Sequence, residues 1–174
     1  MSYNIGNVTG TEWLDTVTLS PYLVIKNQSI GVASSASGFP GFDGILGLGP
    51  VNLTTRSVNN TATVPMVMDN LYSQGTISEE VLGIYFVPSA EPNSTGKLTF
   101  GGYDSSVTTS SVEYVPLTKI FPASAYWGVN QTISYGDQTI LSNTAGVVDT
   151  GTTLTLFATR EWCIETDRTL ADAC

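Results

Sequence analysis

An all-β fold is predicted by three features of the sequence. Short apolar runs alternate with polar residues at a period of two. Clusters of Gly, Ser, Thr and Asn interrupt those runs at short intervals. Only 12% of the 174 residues are charged, whereas helical surfaces are normally rich in Lys, Glu and Arg. That length fits one ordinary domain, or parts of two, and is enough to bury a core.

The elements follow in order. Trp13, Leu14, Val17 and Leu19 give one arm of a hairpin; Leu23, Val24 and Ile25, then Ile30, Val32 and Ala33, give the next. Residues 34–39 read as loop. Residues 42–49, Phe-Asp-Gly-Ile-Leu-Gly-Leu-Gly, form an apolar segment broken by glycines, which suggests close backbone approach rather than a plain strand. After a Ser/Thr/Asn loop over 51–63, Pro65 opens a short helix carrying Met66, Met68, Leu71 and Tyr72, and Gly75 ends it. Residues 82–87 and 97–101 read as strands around a turn-rich loop. Residues 112–117 and 126–135 alternate as sheet strands do. Asp137 marks a turn before Thr139-Ile140-Leu141, and a separate strand then leads to Asp149.

Composition excludes several classes of function. The net charge is −9, with only Lys26, Arg56, Lys97, Lys119, Arg160 and Arg168 basic, so the clustered cations that neutralise phosphates are missing and nucleic acid is not an expected partner. There is no His, which removes His-based triads and most zinc sites; neither metal nor cofactor is expected. No apolar run is long enough to span a membrane, and the N-terminus has neither the basic nor the apolar region of a signal peptide. Six of the ten asparagines, Asn7, Asn27, Asn52, Asn59, Asn93 and Asn130, begin an Asn-x-Ser/Thr acceptor pattern. Roughly two or three would arise by chance at this Ser/Thr content. The excess points to glycosylation in the secretory pathway; the alternative is that a Ser/Thr-rich surface generates the pattern freely.

The stretch most suggestive of chemistry is Val147-Val148-Asp149-Thr150-Gly151-Thr152-Thr153. An apolar strand runs into a carboxylate on a Gly turn with hydroxyls behind it, an arrangement expected to hold one carboxylate at the end of a buried strand in a fixed orientation. Alone, Asp-Thr-Gly is most often a plain turn. Its context adds Tyr3-Asn4-Ile5-Gly6, the glycine segment 42–49, Val67-Met68-Asp69-Asn70-Leu71 with Gln74-Gly75, Leu98 to Ser106, and Tyr126-Trp127. Together, and in this order, these resemble the pepsin-like aspartic endopeptidases, nearest to their secreted fungal members, over about residues 1–157.

The resemblance implies an all-β, pepsin-like acid protease fold, bilobal in the parent and truncated here at both ends. Residues 1–110 would be the later part of the first lobe from the flap onward, 111–157 the early part of the second lobe, and 158–174 a divergent tail. That tail gathers charges and both cysteines, Cys163 and Cys174; an ordinary surface helix with a C-terminal disulfide is the alternative. Asp149 would be a catalytic carboxylate. Thr150 would lock the catalytic loops together, Gly151 would allow the turn and substrate approach, the Thr152 hydroxyl would bond the carboxylate, and Thr153 would face substrate. Tyr3 would close over the peptide, with Gly6 permitting the flap to bend; a frayed terminal residue is the plainer reading of Tyr3. Ile45, Leu46 and Gly47 would brace the site. Asp43 matches the family's structural turn rather than a catalytic partner.

Such an enzyme hydrolyses polypeptides with two carboxylates sharing one proton, and works as an extracellular or vacuolar monomer without metal or cofactor. The family's first Asp-Thr-Gly-Ser lies upstream of the flap, and the sequence has one Asp-Thr/Ser-Gly triplet only. The chain alone is therefore expected to be inactive and to fold poorly. Two other classes fit parts of the pattern: a non-proteolytic pepsin-fold binding or inhibitor protein, and a plain secreted β-sandwich glycoprotein in which Asp149 sits in an exposed surface turn by chance.

Overall fold

A computed structural model of the chain describes residues 2–3, 6–39, 41, 43–87, 95–152 and 154–157. The chain divides into two compact units, Met1–Glu113 and Tyr114–Cys174.

The first unit is built on a long antiparallel hairpin. Strand β2 (Gly6–Ser20) pairs with β3 (Leu23–Ser37), and the two-residue β1 (Ser2–Tyr3) folds back on β2. The sequence places a loop at 34–39, but β3 continues to Ser37 through the pairs Asn7↔Ser37, Val8↔Ala36 and Thr9↔Ser35. Ser and Ala have no strand preference of their own; here β2 supplies an edge, and the Ser34 hydroxyl adds a bond of 3.2 Å to the Thr9 carbonyl. Glycine is required for the close passage: a Cβ on Gly6 would overlap the Ser37 carbonyl oxygen, and one on Gly10 the Val32 carbonyl oxygen. Register shifts at Thr9/Gly10, Asp15/Val17 and Thr18/Ser20 break the ladder into short regular stretches. Asn27 lies in the middle irregularity at φ 53°, a conformation Asn tolerates better than most residues.

Helix α1 (Val67–Ser73) packs on this hairpin. Ile25 and Leu71, both 0% exposed, meet with Val67 and Ile77, and Val17, Leu19, Leu23, Met68 and Phe100 surround them. The helix begins two residues after Pro65. Met66 is extended as the N-cap, and its amide donates to Asp69 Oδ2 at 2.6 Å, which also sets a negative charge at the positive helix end. Gly75 ends the helix at φ +71°, with Gly75 N bonded to Tyr72 O and Thr76 N to Leu71 O, both at 2.9 Å, the bond pair of a Schellman motif.

Side-chain amides tie α1 to β3. Gln74 accepts from Lys26 N at 3.0 Å and donates to Lys26 O at 2.9 Å, completing the strand's backbone as a neighbouring strand would. Buried Gln28 donates to Pro65 O at 3.3 Å and accepts from Asn70 Nδ2 at 2.9 Å. Farther along, β4 (Leu82–Tyr85) pairs with β5 (Lys97–Phe100) in a two-stranded sheet. Lys97 Nζ meets Asp104 Oδ2 at 2.6 Å, and Asp104 Oδ1 accepts from Ser106 N and Oγ.

The second unit is a hairpin of β6 (Gly128–Tyr135) and β7 (Gln138–Val147), turned at Gly136-Asp137 with Gly136 at φ +58°. Two expectations need correction. Residues 112–117 form no strand; they contribute one bridge, Leu117↔Val129, because alternation alone makes no ladder where no strand edge runs alongside. Residues 139–147, read as two pieces, are one continuous strand. The irregularity is taken up at Asn143, φ 47°, whose amide donates to Thr132 Oγ1 at 3.1 Å. Leu141 and Ala123 are the buried apolar residues here, beside buried Thr118.

Two outcomes are expected. Gly10→Ala forces Cβ into a backbone carbonyl and should cost about 1–3 kcal/mol. Gly44→Ala enters open space and should stay within about 0.5 kcal/mol. Equilibrium unfolding of the two variants beside the parent checks both; equal losses would contradict the packing. The second outcome concerns pH. The Lys97 bond, with help from Ser106, holds the Asp104 carboxyl well below its ordinary value of 3.8. A carboxylate depressed on folding contributes stability that is complete above the unfolded value and fades as pH falls below it. The stability difference between parent and Asp104→Asn should therefore be flat from neutral pH down to about pH 4 and narrow only below that. A difference already shrinking between about pH 7 and 5 would contradict the pairing.

Candidate active site

Strand β7 ends at Val147, and the chain then turns sharply at Asp149. Val148 N donates to Trp127 O at 2.9 Å, which extends the pairing of β6 and β7 by one bond and points the next residue off the hairpin end. Each carboxylate oxygen of Asp149 has a donor from its own turn: Gly151 N reaches Oδ1 at 2.9 Å, and Thr152 Oγ1 reaches Oδ2 at 2.6 Å. The Thr152 amide closes the turn on Asp149 O at 3.3 Å. A Cβ on Gly151 would stand 3.2 Å from Oδ1, so the absence of a side chain there leaves the carboxylate its space. These two hydrogen bonds fix the orientation of the carboxylate.

The strand carrying Asp149 was expected to be buried. Instead Val147 is 45% exposed and Val148 59%, and Asp149, Thr150, Gly151 and Thr152 are all exposed. Periodicity reports which residues are apolar, not what covers them. An exposed turn is what the chance-triplet reading expects.

Asp149, Gly151 and Thr152 are thus brought together. Thr150, expected to lock the catalytic loops together, lies exposed in the same turn, and the flap and glycine-segment candidates belong to the first unit. Tyr3 of β1 pairs with Gly6 of β2. Ile45 and Leu46 are exposed beside Gly47, where a Cβ would come 2.7 Å from Met66 Cε; Gly49 is equally close to Leu53, whereas Gly44 faces open space. Close approach, expected throughout the glycine segment, therefore holds at Gly47 and Gly49 only. Thr153, Asn93, Cys163, Cys174 and the rest of 158–174 lie outside the described residues. The tether of Val148 to Trp127 was not visible in the sequence. The signal was the Tyr126-Trp127 motif, but nothing local links it to a residue more than twenty positions away.

Five of the six sequon asparagines are described, and Asn7, Asn27, Asn52, Asn59 and Asn130 are all exposed. Four of their hydroxyl partners also serve the fold. Ser29 donates to Glu12 at 2.6 Å, and Thr61 to Thr63 O at 2.8 Å. Thr132 accepts from Asn143 N, and buried Thr54 bonds Val51 O, Val64 O and Val64 N.

Among the described residues no group of three or more His, Cys, Asp or Glu could hold a metal, and no helix is long and apolar enough to cross a membrane.

Comparison with known proteins gives the class. The family model for eukaryotic aspartyl proteases matches residues 1–164, and the chain belongs to that family. It is 57% identical to polyporopepsin of Irpex lacteus over 162 residues, covering 91% of this chain and 47% of that protein. It is 36% identical to rhizopuspepsin of Rhizopus chinensis over 159 residues, covering 88% and 38%. The crystal structure of the aspartic proteinase from Irpex lacteus superposes with a TM-score of 0.87 at 54% identity, over 93% of this chain and 48% of that one. The fold is therefore that of the pepsin-like aspartic proteases, and the chain spans at most about half the length of these relatives.

Proposed function

We propose that this chain provides one catalytic half of an aspartic endopeptidase, with Asp149 as one of the two carboxylates that activate water against a peptide bond. The observation that carries this reading is the Asp149 turn, whose oxygens are each held by a donor from Gly151 or Thr152, in a chain of the aspartyl protease family. Two adjacent carboxyls cannot both ionise, so they share one proton. The ionised one takes a proton from water as the oxygen attacks the carbonyl carbon; the protonated one gives its proton to the carbonyl oxygen. Neither step needs a metal or a covalent intermediate.

The remaining assignments are part of the same proposal. Gly151, Thr152 and Thr153 line the substrate side of the turn, Thr150 braces it, Tyr3 and Gly6 belong to a flap over the peptide, and Ile45, Leu46 and Gly47 support the first unit's side of the cleft. Substrates are polypeptides. The enzyme works as a glycosylated monomer outside the cell or in a vacuole. Because the 174 residues hold a single Asp-Thr/Ser-Gly, the partner carboxylate comes from outside them, and this chain by itself is inactive.

A chimera tests the reading. Residues 1–157 of this chain replace the matching region of the Irpex lacteus proteinase, and acid proteolysis is measured with and without Asp149→Asn. The amide neither accepts a proton from water nor shares one, so turnover should fall by at least about 10²–10⁴-fold with folding preserved. An active chimera indifferent to the exchange would overturn the assignment of Asp149.

A further inference from the structure

We infer that Thr118 and Gly128 are positioning residues for Asp149, acting through the Trp127 carbonyl; this rests on the reading of Asp149 as a catalytic carboxylate. Val148 N has one backbone bond, to Trp127 O at 2.9 Å, and Val148 is 59% exposed, so packing does little to hold it. Whatever sets the place of Trp127 O therefore sets the last peptide before Asp149.

The next residue, Gly128, sets it. Gly128 is buried, pairs with Val147 across the hairpin, and donates its amide to Tyr126 O at 2.8 Å. A Cβ on it would overlap the Ala123 carbonyl oxygen and come within 2.9 Å of Thr118 Cγ2. The loop over residues 118–127 is thus pressed against the base of β6 with no room for one more methyl group. Thr118 locks the loop there. Its amide donates to Gly128 O at 2.8 Å, and the Leu117↔Val129 bridge lies alongside. Its hydroxyl donates to Asn130 Oδ1 at 2.6 Å and accepts from Ile120 N at 3.2 Å. Thr118 is only 6% exposed, so water cannot readily replace those bonds when the hydroxyl is removed. A displaced loop moves Gly128, Gly128 moves the Trp127 peptide, and the bond to Val148 lengthens one residue short of the carboxylate. Neither Thr118 nor Gly128 touches Asp149, which is why their effect is on position.

The test compares the parent chain with Thr118→Val, Thr118→Ser and Gly128→Ala by NMR. The readouts are amide exchange at Val148 and Gly151 and the carboxyl carbon shift of Asp149. Thr118→Val and Gly128→Ala should speed exchange at Val148 about tenfold, the effect of one weakened bond on local opening. Both should move the Asp149 carboxyl signal, and both should leave the distal Ser134↔Thr139 pair unchanged. Thr118→Ser, which keeps the hydroxyl, should restore the parent values. If Gly128→Ala fails to fold, the Val and Ser pair at Thr118 decides alone. Even loosening along the whole hairpin, or no change at Val148 and Asp149, would overturn the inference. These readouts do not depend on turnover. An active chimera carrying Asp149→Asn would defeat the catalytic reading while the coupling persisted, and a missing coupling would leave that reading standing.

Discussion

The first unit depends on helix α1 closing over one end of a hairpin. Two strands alone are marginal in water, because neither face has anything to bury against. Ile25 and Leu71 supply the burial, each contributing on the order of 1.5–3 kcal/mol. Apolar contact is not directional, and the amides of Gln74, Gln28 and Asn70 add the direction. Gln74 matters most in this respect, since it occupies both polar groups of the Lys26 peptide where the ladder is interrupted. An unpaired peptide there would be free to take another strand. The helix caps serve the same end: Asp69 fixes where α1 begins, and Gly75 turns the chain so that Ile77 joins the core.

In the second unit the constraint is different. Asp149 is oriented by residues adjacent to it in sequence, and the strand leading to it is held by a backbone bond rather than by a packed face. Local donors fix the direction of the carboxylate; the inferred role of the loop over 118–127 is to fix its place. Under the proposed catalytic role, separating these roles suits a group that must face a second carboxylate. Orientation is built into the turn, while distance can be set by a framework that also holds the partner.

Much of this was legible in the sequence because it is local. The Thr152 hydroxyl was expected to bond the Asp149 carboxylate, and it does. Gly75 read as a helix end, and Gly136-Asp137 as a turn, from residue chemistry alone. What the sequence hid is long-range. Ser34 to Ser37 look like loop until β2 offers them an edge. Residues 112–117 look like strand although only Leu117 finds a partner. Val147 and Val148 look buried because they are apolar, yet burial depends on what lies over them. Gly10 and Gly128 gave no sign of their role, since the carbonyls that exclude a side chain there, from Val32 and Ala123, are brought in by the fold of the chain. For the same reason the Trp127 tether could not be inferred from motif order.

The double duty of the sequon hydroxyls bears on how carbohydrate attachment can be mapped. At Asn52 the third residue, buried Thr54, makes hydrogen bonds to Val51 and Val64, so removing it deletes an acceptor pattern and a piece of the fold together. Replacing Asn52 itself leaves those bonds alone. Asn27 offers no such clean edit: the asparagine stands at φ 53°, where most substitutes are strained, and Ser29 is bonded to Glu12. At that position a lost sugar and a loosened hairpin would arrive in the same variant, and mass alone would not separate them. On the proposed reading of a glycosylated protein, three adjacent residues would be read twice, once as an attachment signal and once as hydrogen-bonding groups of the folded chain.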